Sequence, residues 1–156
     1  MTIDPLMPHR HDNNETPPTA STDILVTRPD GTILTVTLAQ LQADFPTAVI
    51  PRYQFSTDHG VHGPYRLAGV ALADFATAVL ANASWTQAEI ISADGFGNRV
   101  WRHELAQAPA DAPVLLCTET DGRPLTRAEG LVRLVVPSET DNALRQIKWV
   151  AHIRFK

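Results

Sequence analysis

Alternation of apolar and polar positions is cleanest near the C-terminal end. From Ile147 onward the odd positions Ile147, Trp149, Ala151, Ile153 and Phe155 are apolar, while Lys148, His152 and Arg154 lie between them. Period two predicts one strand from Ile147 with a core face and a face toward solvent or a ligand. Before it, the apolar run Leu131–Val136, closed by Pro137, predicts a further buried strand. Upstream, Ile24–Val26 and Ile33–Val36 flank Arg28-Pro29-Asp30-Gly31, which reads as a hairpin, and Thr37 caps a short helix over Leu38–Asp44. Val49–Phe55 reads as a strand whose Pro51 places it at a sheet edge or a bulge. Leu72, Phe75, Ala76, Val79 and Leu80 fall at i, i+3, i+4, i+7 and i+8, an amphipathic helix. Gln87–Ser92, Arg99–His103 and Val114–Thr120 complete the strands, with one helical turn at Glu104–Gln107. Seven or so strands among short helices, without regular βαβ alternation, predict an α+β fold.

The ends behave differently. Residues 1–22 hold Pro5, Pro8, Pro17 and Pro18 and little apolar surface, so a disordered tail is expected there, with the domain over 23–156. His9 and His11 in that tail read as solvated rather than as metal ligands.

Composition narrows the class. At 156 residues and 44% hydrophobic content the chain suits one domain with its own core. Its net charge of −4 gives no general reason to expect nucleic acid. The charge is uneven, because residues 123–156 carry seven Lys or Arg against three Asp or Glu. One cysteine excludes an intrachain disulfide and a multi-cysteine metal site. No apolar run has the length of a membrane span or signal peptide, so a soluble, cytoplasmic protein is the expectation.

Three stretches carry candidate chemistry. Ser56–Pro64 reads as a polar loop in which His59 and His62, with Asp58, offer two nitrogens and an oxygen to a metal; a solvent-exposed loop is the simpler reading. Cys117, between Leu116 and Thr118, reads as a buried, inert thiol. Arg133, Lys148 and Arg145 are candidates for an anion site, against the reading that each is a surface cation beside a strand. His152 reads as a surface histidine, and Trp85, Trp101 and Trp149 as packing residues.

The order Gly122, Pro124-Leu125, Gly130, Arg133-Leu134-Val135-Val136-Pro137 and Ile147-Lys148-Trp149 resembles the C-terminal half of the sulfite-oxidase-type molybdopterin-binding domain. Gly69-Val70-Ala71-Leu72 with Asp74, and Ser92-Ala93-Asp94-Gly95-Phe96, resemble two earlier segments of the same family. The resemblance runs from Tyr53 to Phe155. It implies a mixed-sheet, barrel-like core with short helices, and a molybdenum cofactor carried by a pterin dithiolene that would do oxygen-atom or electron transfer. It also implies that Arg133 and Lys148 match basic positions near the pterin phosphate. The family's cysteine ligand would lie close to Phe55–His59, where this chain has no cysteine, so His59 or His62 would have to stand in. Glu129 takes the place of a family histidine, and Gly130–Arg133 is one residue shorter and lacks a proline.

Three readings follow. One is a cofactor-poor or cofactor-free module of this family that binds a small anion, a pterin phosphate or a partner through its basic face. Another is a compact molybdopterin-dependent oxidoreductase with a non-cysteine metal sphere. The third is a metal-binding or interaction protein unrelated in mechanism. No metal ligand or catalytic residue is assigned, and substrate, electron partner and protein partner are left open.

Overall fold

The computed structural model describes Leu6, residues 16–138 and residues 145–156. Ten strands and three short helices are found among them. β1 (Ile24–Thr27) and β2 (Ile33–Val36) form the hairpin expected from Pro29 and Gly31, and Arg28 and Gly31 close its turn. α1 (Leu38–Ala43) opens on a capping box, in which the Thr37 hydroxyl accepts from the Gln40 N–H and the Gln40 side chain accepts from the Thr37 N–H. β3 (Ala48–Thr57) and β4 (Gly60–Ala71) are long antiparallel partners, followed by α2 (Leu72–Leu80). β5 (Gln87–Ser92), β6 (Gly97–Trp101), α3 (Arg102–Gln107), β7 (Leu115–Thr120), β8 (Arg123–Pro124), β9 (Arg133–Val135) and β10 (Val150–Phe155) complete the chain.

The strands make two separate five-stranded sheets. The first has the order β2-β1-β10-β5-β6, and the second runs β3-β4-β7-β8 with β9 also on β7. The barrel-like core expected from the family resemblance is therefore corrected to two open sheets, since no pairing among the described residues joins one to the other. The first sheet is mixed: β10 lies parallel to β1 and antiparallel to β5, which places the C-terminal strand at the centre. Ile24, Val26, Ile90 and Ile153 of that sheet meet Phe75 and Val79 of α2 and Leu116 and Leu134 of the second sheet in one core. Each fully buried side chain of this size contributes about 1.5–3 kcal/mol. A smaller apolar cluster, including Tyr53, Leu67, Cys117, Leu125 and Val135, lies with the second sheet.

Two sequence expectations change. Ser56–Pro64 is no loop, because β3 and β4 continue through it and turn only at Asp58-His59, with Gly60 at φ +109°. Glycine and proline there hide a hairpin from propensity reasoning. Register shifts between Ile50 and Phe55 flank Pro51 on this edge strand, as its proline requires. The final strand starts at Val150 rather than Ile147: Trp149 has φ +52°, so the chain kinks and buries both Trp149 and Val150. Ile147 keeps only an isolated bridge to Leu134.

Of segment 1–22, residues 1–5 and 7–15 lie outside the described residues. Leu6 is buried, and a Cβ added to Gly97 would lie 2.8 Å from its Cδ2. Arg127 donates to the carbonyls of Thr19 and Pro17 at 2.9 and 3.2 Å.

Candidate functional site

Gly130 is the junction of the basic end of the chain. It has φ +108°, and a Cβ there would lie 2.7 Å from Lys148 Cβ and 2.9 Å from Arg133 Cγ. Only glycine allows both the conformation and the approach. The strand carrying Arg133 and the segment carrying Lys148 are tied together around it: Trp149 N donates to the Gly130 carbonyl at 2.8 Å, Val150 N to Val132 at 3.0 Å, and Leu134 N to Ile147 at 2.8 Å. Arg133 and Lys148 thus leave adjoining backbone with their stems packed on one glycine.

Arg133 is half-buried opposite Cys117 of β7. Its Nη2 donates to Gln146 Oε1, and Gln146 Nε2 donates to the Tyr53 hydroxyl. Its Nε is buried and has no hydrogen-bond partner among the described residues. A buried, unsatisfied donor on a cation is costly, and an anion would satisfy it. Lys148 lies 5.7 Å from the Trp149 ring centroid and 3.5 Å from the Ala128 carbonyl. Burial first, and the Arg133 charge second, push its ammonium below the usual lysine value. Both effects favour an anion beside it.

Arg145, the third candidate cation, is buried and pairs with Glu104 at 2.7 Å. Glu104 also accepts the backbone N–H of Trp101 at the start of α3, so Arg145 ties its own segment to that helix. Glu129, which replaces the family histidine, is held by Arg123 at 2.6 and 2.9 Å and accepts the Thr126 N–H. The Arg123 hydrogen bonds, with those of Thr126, bring its carboxyl down to about 2. The charge that would repel an anion at Gly130 is thereby largely neutralised.

The histidines do not converge. His62 is in β4, its ring stacks on Phe55 with centroids 5.0 Å apart, and its Nε2 is 2.9 Å from Thr57 Oγ1. His59 is exposed in the hairpin turn. Cys117 is buried, its Sγ donates to the Glu119 carbonyl at 3.3 Å, and burial pushes its thiol up despite the Arg133 charge. Among the described residues no three His, Cys, Asp or Glu side chains are placed to hold a metal. His152, expected at the surface, is half-buried with its Nε2 2.8 Å from Thr27 Oγ1, because β10 is a central strand. Trp85 and Trp149 are packed, but Trp101 is exposed. Sequence reasoning missed Gln146, Tyr53 and Gly130 as parts of the site. The glycine carried a signal, since it precedes the basic strand, whereas nothing local marks Gln146 or Tyr53.

The oxidoreductase molybdopterin-binding domain family matches residues 23–156. The chain belongs to that family. Its fold is similar to the crystal structure of the sulfane dehydrogenase SoxCD from Paracoccus pantotrophus, with a TM-score of 0.64, 18% identity and 85% of the chain covered. The match takes in 37% of the SoxCD chain, so this member of the molybdopterin-binding family spans well under half the length of that protein. No curated protein matches it by sequence. Among its described residues, no helix is long and apolar enough to cross a membrane.

The residues present fit the two ends of the family's cofactor unequally. A phosphate suits Arg133 and Lys148, where a buried guanidinium N–H lacks a partner among the described residues. A molybdenum ion would look for a thiolate, and Cys117 is protonated, buried and engaged with Glu119.

Proposed function

We propose that this molybdopterin-binding-family chain is a cofactor-free binding module that takes a phosphate-bearing anion between Arg133 and Lys148. One observation carries the reading: two cations packed on Gly130, one with a buried Nε–H that has no partner among the described residues. The planar guanidinium gives directional hydrogen bonds, and the ammonium adds a point charge. Gln146 and Tyr53 hold the guanidinium in place, so less side-chain freedom is lost when the anion arrives. Among the described residues no three His, Cys, Asp or Glu side chains are grouped to hold a metal beside them, and no redox step is assigned.

A thermal-shift titration tests this reading. Inorganic phosphate and a phosphate monoester should raise the melting temperature with concentration, by about 2.7 kcal/mol of stabilisation at a hundred times Kd. The Arg133→Ala, Lys148→Ala double variant should lose the response. A wild type indifferent to phosphate, or a double variant that still responds, contradicts the reading.

A further inference from the structure

β4 and β7 change register half-way along. Ala71, Val70 and Gly69 pair with Leu115, Leu116 and Cys117, whereas Ala68 and Leu67 pair with Glu119 and Thr120, so Thr118 is an extra residue on β7. A β-bulge of this kind interrupts the alternation of a strand and re-aims a side chain. Strict alternation would put Thr118 on the face of Leu116 and Glu119 on the opposite face with Cys117. The bulge instead pairs Glu119 with Ala68, on the face whose Val70 and Leu116 belong to the main core. Thr118 and Glu119 thus share one face, and both line one cavity there. The bulge is fixed from two sides: Leu125 N donates to the Thr118 carbonyl at 3.0 Å, and Cys117 Sγ to the Glu119 carbonyl at 3.3 Å. It also needs the glycine beside it, because a Cβ on Gly69 would collide with the Leu116 carbonyl oxygen and lie 2.9 Å from its carbon.

The cavity has a volume of about 310 Å³ and is bounded by α1 on one side and by β4 and β7 on the other. That volume is at the lower end of the ~300–1,000 Å³ typical of small-molecule pockets. Buried Leu41 and Val70 give it apolar wall, and Gln42, Thr47, Thr118 and Glu119 give it polar groups. Among the described residues, none of these four polar side chains makes a hydrogen bond or an ion pair. Thr118 is only 7% exposed, and a hydroxyl that deep ordinarily has a partner. The lining holds one carboxylate and no lysine, arginine or histidine. Arg133 pairs with Cys117, whose side chain belongs to the cluster on the other face, so the cavity and the anion site lie on opposite faces of the second sheet.

We infer that this cavity is a second binding site, which takes a small primary ammonium compound with a short apolar body. The ammonium sits against the Glu119 carboxylate and the Thr118 hydroxyl, and the hydrocarbon lies on Leu41 and Val70. Charge and hydrogen bonding select this class. A lone carboxylate attracts a cation and repels an anion, and an ammonium brings three donors and no acceptor to a lining of oxygens. A bare divalent cation is a poorer match, since calcium takes about 6–8 oxygen ligands and several carboxylates, and only one carboxylate is here. The bulge has a purpose in this reading: without the extra residue, Glu119 would face away from the cavity.

The probes are isobutylamine, isobutanol and isovalerate, which share one branched apolar body and differ in charge. Each is titrated into the full chain at pH 7, where the amine is protonated, and the amide NMR signals of Gly69, Val70, Thr118 and Glu119 are followed. Isobutylamine should shift these signals saturably in the millimolar range, and the alcohol and the carboxylate should bind about fivefold more weakly or not at all. Glu119→Gln, which keeps the shape and removes the charge, should weaken the amine about fivefold or more. Gln42→Lys, at an exposed helix position, places a competing ammonium at the cavity and should do the same, so it decides the matter if Glu119→Gln does not fold. Both variants should keep the wild-type response to phosphate, which belongs to the other face. Absence of saturable shifts, equal binding of the alcohol, shifts centred on other carboxylates, or full affinity in Gln42→Lys would each overturn the inference.

Discussion

Arg123 and Glu129 form a two-pronged ion pair, with Nη1 2.6 Å and Nη2 2.9 Å from the two carboxylate oxygens. The pair lies in the turn that ends at Gly130, and its consequence is electrostatic. A carboxylate facing the Arg133–Lys148 pair would otherwise oppose any anion there. Lys148 still feels Glu129, whose charge raises its pKa, but burial and Arg133 outweigh that.

A pH dependence follows from the pair. The Glu129 carboxyl is lowered in the fold from 4.5 to about 2, so the stability it contributes is fully present above about 4.5 and is lost as pH falls toward about 2. The pair is solvent-exposed, so the contribution is small and screened by salt. Arg123→Ala should bring the Glu129 carboxyl back toward the ordinary range, as read by NMR titration, and weaken phosphate binding near neutral pH. An Arg123→Ala variant that binds phosphate as tightly as the wild type would show that Glu129 does not act on the site.

Gly130 is predicted to be irreplaceable. Gly130→Ala meets Lys148 Cβ at 2.7 Å and Lys148 Cα at 2.9 Å, in a backbone conformation that other residues adopt only under strain. Strain of this kind costs roughly 1–3 kcal/mol before the overlap is counted. The melting temperature should fall by about 2–4 °C for each kcal/mol lost, and the phosphate response should vanish even where the variant remains folded. A control is Gly122→Ala, where the added Cβ meets nothing within 4 Å and only the backbone conformation is strained. If that variant also loses phosphate binding while folded, the close packing on Gly130 is not what organises the site.

Cys117 should react slowly. Burial holds the thiol above its usual value, and its proton is donated to the Glu119 carbonyl. A disulfide reagent should modify the native protein slowly, then rapidly once denaturant unfolds it. Fast labelling of folded protein would return Cys117 to the list of metal or redox ligands.

Where the chain repeats a period, the sequence was enough. The apolar stripe of α2, the bounds of β5, the helix cap at Thr37 and the edge character of the strand with Pro51 all follow from local rules. The family, too, was legible in the glycines and in the motif around Arg133. What local rules missed is set by distant partners. β10 is central because it lies parallel to β1 from the other end of the chain, so His152 and Arg154 are half-buried rather than on a solvent face. The alternation through Trp149 could not show that this residue turns to φ +52° to send its indole N–H to the Arg127 carbonyl. Likewise, charge counting grouped Arg145 with Arg133 and Lys148, although it is bound to Glu104, forty-one residues earlier.

The central claim is that this member of the molybdopterin-binding family works without the metal cofactor. Elemental analysis, together with the fluorescence of oxidised pterin released by denaturation, measures it directly on protein purified from cells that make the cofactor. Cys117 is a protonated thiol engaged with Glu119, and His62 is engaged with Thr57, so the expected result is far less than one molybdenum and one pterin per chain. Near-stoichiometric molybdenum and pterin would contradict the account and make the β3–β4 hairpin around His59 and His62 the first place to look for the ligand.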